Sequence, residues 1–211
     1  MTFWYRLCWW ICRIGLFFWH PVFHVYGREL VPAGGAVLCA NHSGMADPIW
    51  ILLALNSPRM IRILAKEELR RVPFLGWVME KFNIIFVRRG EHQPEVYEKS
   101  AGALRDGDKL LVFVEGTRCN GSKHVRAKTG AVHMALATGA PVVPIYVTRN
   151  RTPFCPVEVR FGQPYAISGI AQDDHAACHA AADELLDIIY RLGGERDAAS
   201  AGKDGRVLLR S

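Results

Sequence analysis

Short, almost wholly apolar runs alternate along this chain with segments whose apolar residues recur at helical spacing. The runs at 36–40, 60–65, 83–87, 110–114 and 142–148 predict buried strands, and alternation over 157–161 predicts a more exposed one. Ile49, Leu52, Leu53 and Leu55 mark a helix that opens at Asp47-Pro48. Aspartate there suits the cap, and proline suits the first helical position, where no backbone N–H is needed. A short helix is expected over 73–81 and a longer one from Pro94 to about 105, before the turn Asp106-Gly107-Asp108. Another covers about 128–138, closed by Gly139 with Pro141 just beyond. Asp173 or Asp174 caps the last helix, which runs to about 192 with Leu185, Ile188, Ile189 and Leu192 as its apolar stripe. Residues 22–26 are a short apolar segment that leads through the turns at 27–30 and 32–35 into the first strand. Strands alternating with helices, without repeat or linker, predict an α/β fold. The expected architecture is a single-domain αβ sandwich over 25–193, with a mixed, largely parallel sheet flanked by helices. Residues 194–211 turn to Glu, Arg, Asp, Ala, Ser and Gly and read as a flexible tail.

The first twenty residues, MTFWYRLCWWICRIGLFFWH, are apolar and aromatic, broken only by Arg6 and Arg13. Seven residues apart, the two arginines share one narrow stripe of a helix. A cleavable signal orders its charge, apolar run and small residues differently. Aromatic rings with arginine suit the headgroup zone of a bilayer. Residues 1–24 are therefore expected to form a helix lying in the membrane interface, not a full span, with Pro21 ending it. The alternative is a helix that covers an apolar face of the domain itself.

With 211 residues, half of them apolar, the chain can bury a sizeable core. Its formal charge of +6 and isoelectric point near 9.1 favour anionic partners. Basic residues are not clustered on one helix with interleaved aromatics, which argues against nucleic acid. Cys8, Cys12, Cys39, Cys119, Cys155 and Cys178 are scattered, with neither zinc nor disulfide spacing, and fit a reducing, cytosol-facing location. His175 and His179 are four apart without an evident third ligand, so no metal site is expected.

Chemistry gathers where predicted strands end, which is where α/β proteins keep it. The first strand runs into Asn41-His42-Ser43-Gly44-Met45-Ala46-Asp47. A neutral imidazole can take a proton from a hydroxyl near pH 7, and a carboxylate on its other nitrogen fixes the tautomer. Alone, a His-x4-Asp spacing is equally a turn and a cap. Ser43 adjoins His42 too closely for nucleophile–base geometry, and no G-x-S-x-G elbow surrounds it. Another strand ends in Arg88-Arg89, and the 110–114 strand in Glu115-Gly116-Thr117-Arg118. Arginine forks suit phosphate oxygens, and Gly116 lets backbone N–H groups approach an anion. Glu115 is expected to hold an arginine or to accept from a substrate hydroxyl. Taken singly, these are also a solvated strand end and a polar turn.

In order and spacing the segments resemble the glycerolipid acyltransferase family, whose bacterial members acylate 1-acylglycerol-3-phosphate. Asn41-His42-x4-Asp47 is similar to its N-H-x4-D block, and Ile85-Phe86-Val87-Arg88-Arg89 to its second block. Phe113-Val114-Glu115-Gly116-Thr117-Arg118-Cys119 resembles F-P-E-G-T-R-S, Lys128-x-Gly130 a K-x-G element, and Val143-Pro144-Ile145 the V-P-[IV] block. Val114 and Cys119 stand where proline and serine are usual. The resemblance implies His42 and Asp47 as catalytic residues, and Arg89, Glu115, Gly116, Thr117, Arg118 and Lys128 as substrate-binding residues. It implies an acyl-CoA or acyl-carrier-protein co-substrate with no other cofactor, a lysophospholipid acceptor, and a place on the cytoplasmic face of the membrane. Rival expectations are another lysolipid acceptor, such as a lyso-ornithine lipid, and a non-catalytic protein that binds anionic lipid.

Overall fold

The run Ala36–Ala40 forms β2, the middle strand of a seven-stranded sheet, and all five of its residues are buried. Neither face of such a strand meets water, which is why it is apolar throughout and not alternating. The computed structural model describes residues 3–57, 60–73, 75–82, 84–88, 93–119, 125–149 and 151–194. In chain order they form α1 (Phe3–Trp19), β1 (Phe23–Tyr26), β2, α2 (Asp47–Leu55), β3 (Ile61–Lys66), α3 (Leu75–Lys81) and β4 (Ile85–Val87). There follow α4 (Pro94–Arg105), β5 (Lys109–Phe113), α5 (Gly130–Thr138), β6 (Val142–Val147), β7 (Val157–Phe161) and α6 (His175–Leu192).

Strand order is β1-β7-β6-β2-β5-β3-β4. Strands β2 to β6 are mutually parallel, whereas β7 meets β6 antiparallel and carries β1 with it. The mixed, largely parallel α/β sandwich is therefore the architecture adopted. Val37 and Cys39 of β2 pack with α5 and α6 residues such as Val132, Leu185 and Ile189. Ala36, Leu38 and Ala40 face the other way, onto Trp50, Ile51 and Ala54 of α2.

Several boundaries differ from those the sequence suggests. Residues 22–26 supply a strand, β1, because the exposed flank of β7 offers a row of backbone partners. Helix α2 begins at Asp47 itself behind Ala46, and the Asp47 side chain does not cap it, being drawn back towards the preceding loop. Helix α5 begins at Gly130 behind Thr129, and the Lys128 N–H ahead of it donates to the Val114 carbonyl at 2.7 Å. Residues 195–211, read as a tail, lie outside the described residues.

Among its described side chains, helix α1 leaves most of its apolar groups outside the domain. Leu16 packs against the α2 layer, but Trp10, Ile11, Ile14, Phe17, Phe18 and Trp19 stand exposed, Phe18 by 73 %. No described helix is long and apolar enough to cross a membrane.

All five parallel strands leave the sheet at one edge, so the loops after β2, β4, β5 and β6 share a rim. One side chain stitches that rim together. Asn41, fully buried, donates from Nδ2 to the Val147 carbonyl at 2.9 Å and accepts the Val147 N–H at 2.8 Å. Asn41→Ala leaves both Val147 groups buried and unpaired, so a loss of about 2–6 kcal/mol is expected in urea unfolding, because each orphaned group costs about 1–3 kcal/mol.

Candidate active site

His42 leaves β2 and turns its ring onto Phe113, the last residue of β5, with ring centroids 4.1 Å apart and planes inclined by 27°. His42 Nδ1 lies 2.9 Å from Asp47 Oδ2. An ionised carboxylate only accepts, so Nδ1 is the donor and Nε2 carries the lone pair. The imidazole is 20 % exposed and the carboxylate not at all. Asp47 Oδ2 also accepts the N–H groups of Ser43 at 2.7 Å and Gly44 at 2.8 Å, and Oδ1 accepts from Arg151. Burial alone would raise the Asp47 pKa. The His42 hydrogen bond, the Arg151 charge and the Gly44 amide outweigh it and hold the carboxyl below its ordinary range. Asp47 therefore stays ionised, with the Arg151 guanidinium beside it.

The loop after β5 lies against this couple. Glu115, 1 % exposed, accepts the His42 N–H at Oε2, 3.0 Å away, and the Tyr190 hydroxyl of α6 at Oε1. Cys119 N–H donates to the His42 carbonyl at 2.7 Å. The histidine backbone is thus held on both sides by the Glu115–Cys119 loop. Gly116 has φ +65°, and a Cβ there would sit 2.7 Å from Lys128 Cγ, so glycine is needed for conformation and for space. Thr117, Arg118 and Lys128 are exposed around it. Burial pushes the Glu115 carboxyl up, only partly countered by Tyr190, the His42 N–H and the nearby Arg149 guanidinium. Arg149 lies over the Tyr190 ring, 4.8 Å from its centroid. Among the described residues no group of His, Cys, Asp and Glu side chains is placed to hold a metal ion.

The sequence model of the family described as Acyltransferase matches residues 22–148, which include the His42–Asp47 couple and the Glu115–Arg118 loop. The chain belongs to the acyltransferase family. It is 34 % identical over 131 residues to the 1-acyl-sn-glycerol-3-phosphate acyltransferase of Borreliella burgdorferi, covering 60 % of this chain and 52 % of that one. It is 31 % identical over 144 residues to the lyso-ornithine lipid O-acyltransferase of Pseudomonas aeruginosa, covering 68 % and 53 %. The chain spans about half the length of these curated relatives. The crystal structure of the 1-acyl-sn-glycerophosphate acyltransferase PlsC from Thermotoga maritima shares the fold, with TM-score 0.65 and 23 % identity over 86 % of this chain and 75 % of that one.

In this member of the family, His42, Asp47, Glu115, Gly116 and Lys128 meet at one place, with Thr117 and Arg118 on the same loop. Arg89 lies outside the described residues; the strand leading to it, β4, is three positions from β2, about 14 Å at the usual spacing. Glu115 has both oxygens engaged inside the protein, by the His42 N–H and the Tyr190 hydroxyl. Sequence reasoning did not single out Arg149, Arg151, Phe113 or Tyr190. The two arginines follow β6 as Arg88-Arg89 follow β4, so the same strand-end rule reaches them. Tyr190 is one more apolar-face residue of α6 and carries no such signal.

Tyr190→Phe removes one donor from Glu115 and drives its carboxyl further up. A carboxyl raised on folding favours the native state below its unfolded pKa and loses that contribution as pH rises through the folded pKa. The stability deficit of Tyr190→Phe is therefore expected to grow as pH rises above the ordinary carboxylate range, as read by urea midpoints against the parent.

Proposed function

We propose that this chain moves a fatty acyl group from a thioester donor, acyl-CoA or acyl carrier protein, to the free sn-2 hydroxyl of 1-acylglycerol-3-phosphate, yielding phosphatidic acid. The observation that carries the reading is the buried, ionised Asp47 that turns His42 Nε2 towards the strand-end rim. His42 Nε2 takes the hydroxyl proton as the oxygen attacks the thioester carbonyl, and Asp47 stabilises the imidazolium. Collapse of the tetrahedral intermediate releases the thiolate, which recovers that proton from His42. General-base action supplies about 10²–10⁴ in rate, and positioning with oxyanion stabilisation supplies the remainder.

The acceptor's phosphate is held by Arg118, the Gly116 backbone and Lys128, with Thr117 beside them and Arg89 completing the set. Glu115 acts from beneath, holding the His42 loop at the height the hydroxyl must reach. The exposed side of α1 and Phe154, 69 % exposed, rest on the bilayer that supplies both lipid substrate and product. Phe154 N–H donates to the Trp19 carbonyl at 2.8 Å, which places the Phe154 loop beside the end of α1. A net charge of +6 favours the anionic cytoplasmic leaflet. Similarity to lyso-ornithine lipid acyltransferases supports a second reading with that acceptor, in which the basic loop lacks a phosphate to bind.

Incubating the protein with a labelled acyl thioester and a panel of lysolipids in mixed micelles, then identifying the products, separates these readings. Labelled phosphatidic acid is the expected product; labelled ornithine lipid alone selects the second reading, and no labelled lipid refutes both. His42→Ala is expected to lower kcat by at least about 10²-fold while the thermal midpoint stays near that of the parent. Arg118→Ala is expected to raise KM for the phosphorylated acceptor more than it lowers kcat, because a phosphate contact is made before and during the reaction alike. An unchanged KM assigns the phosphate elsewhere.

A further inference from the structure

Arg151, on the loop after β6, reaches across to α2. It donates to Asp47 Oδ1 and to the carbonyl of Thr148, and its side chain is only 8 % exposed. The oxygen it engages is the one His42 does not use, since Oδ2 already accepts from His42, Ser43 and Gly44. Held on both oxygens, the carboxylate cannot rotate about its Cβ–Cγ bond without losing a charged partner. So little of the guanidinium is exposed that it is a poor candidate to bind a substrate phosphate.

A second observation concerns the space the guanidinium occupies. A Cβ on Gly44 would lie 2.6 Å from Arg151 Nη2, while Asp47 Oδ1 would be 3.6 Å away, in ordinary contact. Gly44 has no left-handed φ that would itself demand glycine. The loop bearing Arg151 is anchored in turn, for His20 Nδ1 donates to the Cys155 carbonyl at 3.0 Å and Phe154 N–H to Trp19.

We infer that Arg151 is a positioning residue for the His42–Asp47 couple, admitted to its place by the absence of a side chain at Gly44. The inference rests on the reaction proposed above. Arg151 fixes the carboxylate plane, the carboxylate fixes the imidazole, and Nε2 is aimed without Arg151 touching either substrate.

The test uses the full chain with Arg151→Ala, Arg151→Lys and Gly44→Ala. Gly44→Ala matters most, because it keeps every backbone donor to Asp47 and displaces only the mobile end of Arg151. Acyl-transfer kinetics are expected to show kcat reduced about 10–100-fold in Arg151→Ala and Gly44→Ala, the range usual for partners that orient a functional histidine. KM for donor and acceptor should stay within about two-fold, with Arg151→Lys recovering part of kcat. The downfield proton resonance of His42 Nδ1–H, observed by NMR without substrate, should shift or broaden in the same two variants. An unchanged kcat in Arg151→Ala, or a rise in acceptor KM at constant kcat, overturns the assignment. If the parent transfers no acyl group to any lysolipid, the proposed reaction fails, and the resonance alone decides: unaltered in Arg151→Ala, it overturns the positioning role.

Discussion

A carboxylate taken out of water must find partners for its lone pairs, and much of this structure follows from satisfying the one on Asp47. It has no exposed surface, yet the charged form prevails because His42, two loop amides and Arg151 converge on it. Those partners come from three places in the chain: the end of β2, the turn into α2, and the loop after β6. Only a sheet whose parallel strands finish together brings them within reach. Removing Arg151 leaves the carboxylate's charge uncompensated in the interior, where the cost is several-fold larger than at the surface.

A second interior carboxylate, Glu115, sits in the opposite condition. The Tyr190 hydroxyl, the His42 amide, the Arg149 charge and the Cys119 thiol all favour its charged form, and burial still wins. Two acidic groups thus share one rim with their proton affinities pushed apart, one downward and one upward. The Asp47 arrangement suits a group that must remain negative beside a titrating imidazole. The Glu115 arrangement suits a structural acceptor whose work is to hold backbone, here the N–H of His42. This separation also explains why an acidic residue is tolerated inside a loop otherwise fitted to bind an anion: its charge faces inwards, away from Arg118.

How much of this was legible beforehand varies with the kind of signal. Buried strands declare themselves by unbroken apolar runs, and α4 is found where Pro94 and Asp106 bracket it. The strand-end rule leads to His42, Asp47 and the Glu115–Arg118 loop without any structure. It reaches Arg151 as well, but only the fold reveals that this arginine turns inwards instead of to solvent. Strand β1 is not legible, since four residues with one side exposed carry little pattern and depend on β7 for partners. Of the two tasks expected of Asp47, pairing with His42 is met and capping α2 is not. A carboxylate beside a helix start ordinarily caps it, but here an imidazole and a guanidinium compete for it from other parts of the chain.

Strands β1 and β7 enter the sheet against the grain of the other five. The segment ahead of β1 must therefore arrive at the edge where β2, β5 and β6 depart. Had β1 been laid down in the common direction, α1 would have been delivered to the far end of the strands, about 17 Å from the imidazole. A reversal in the last two strands on one side of the sheet thus sets which end of the molecule its aromatic helix and its proton acceptor have in common.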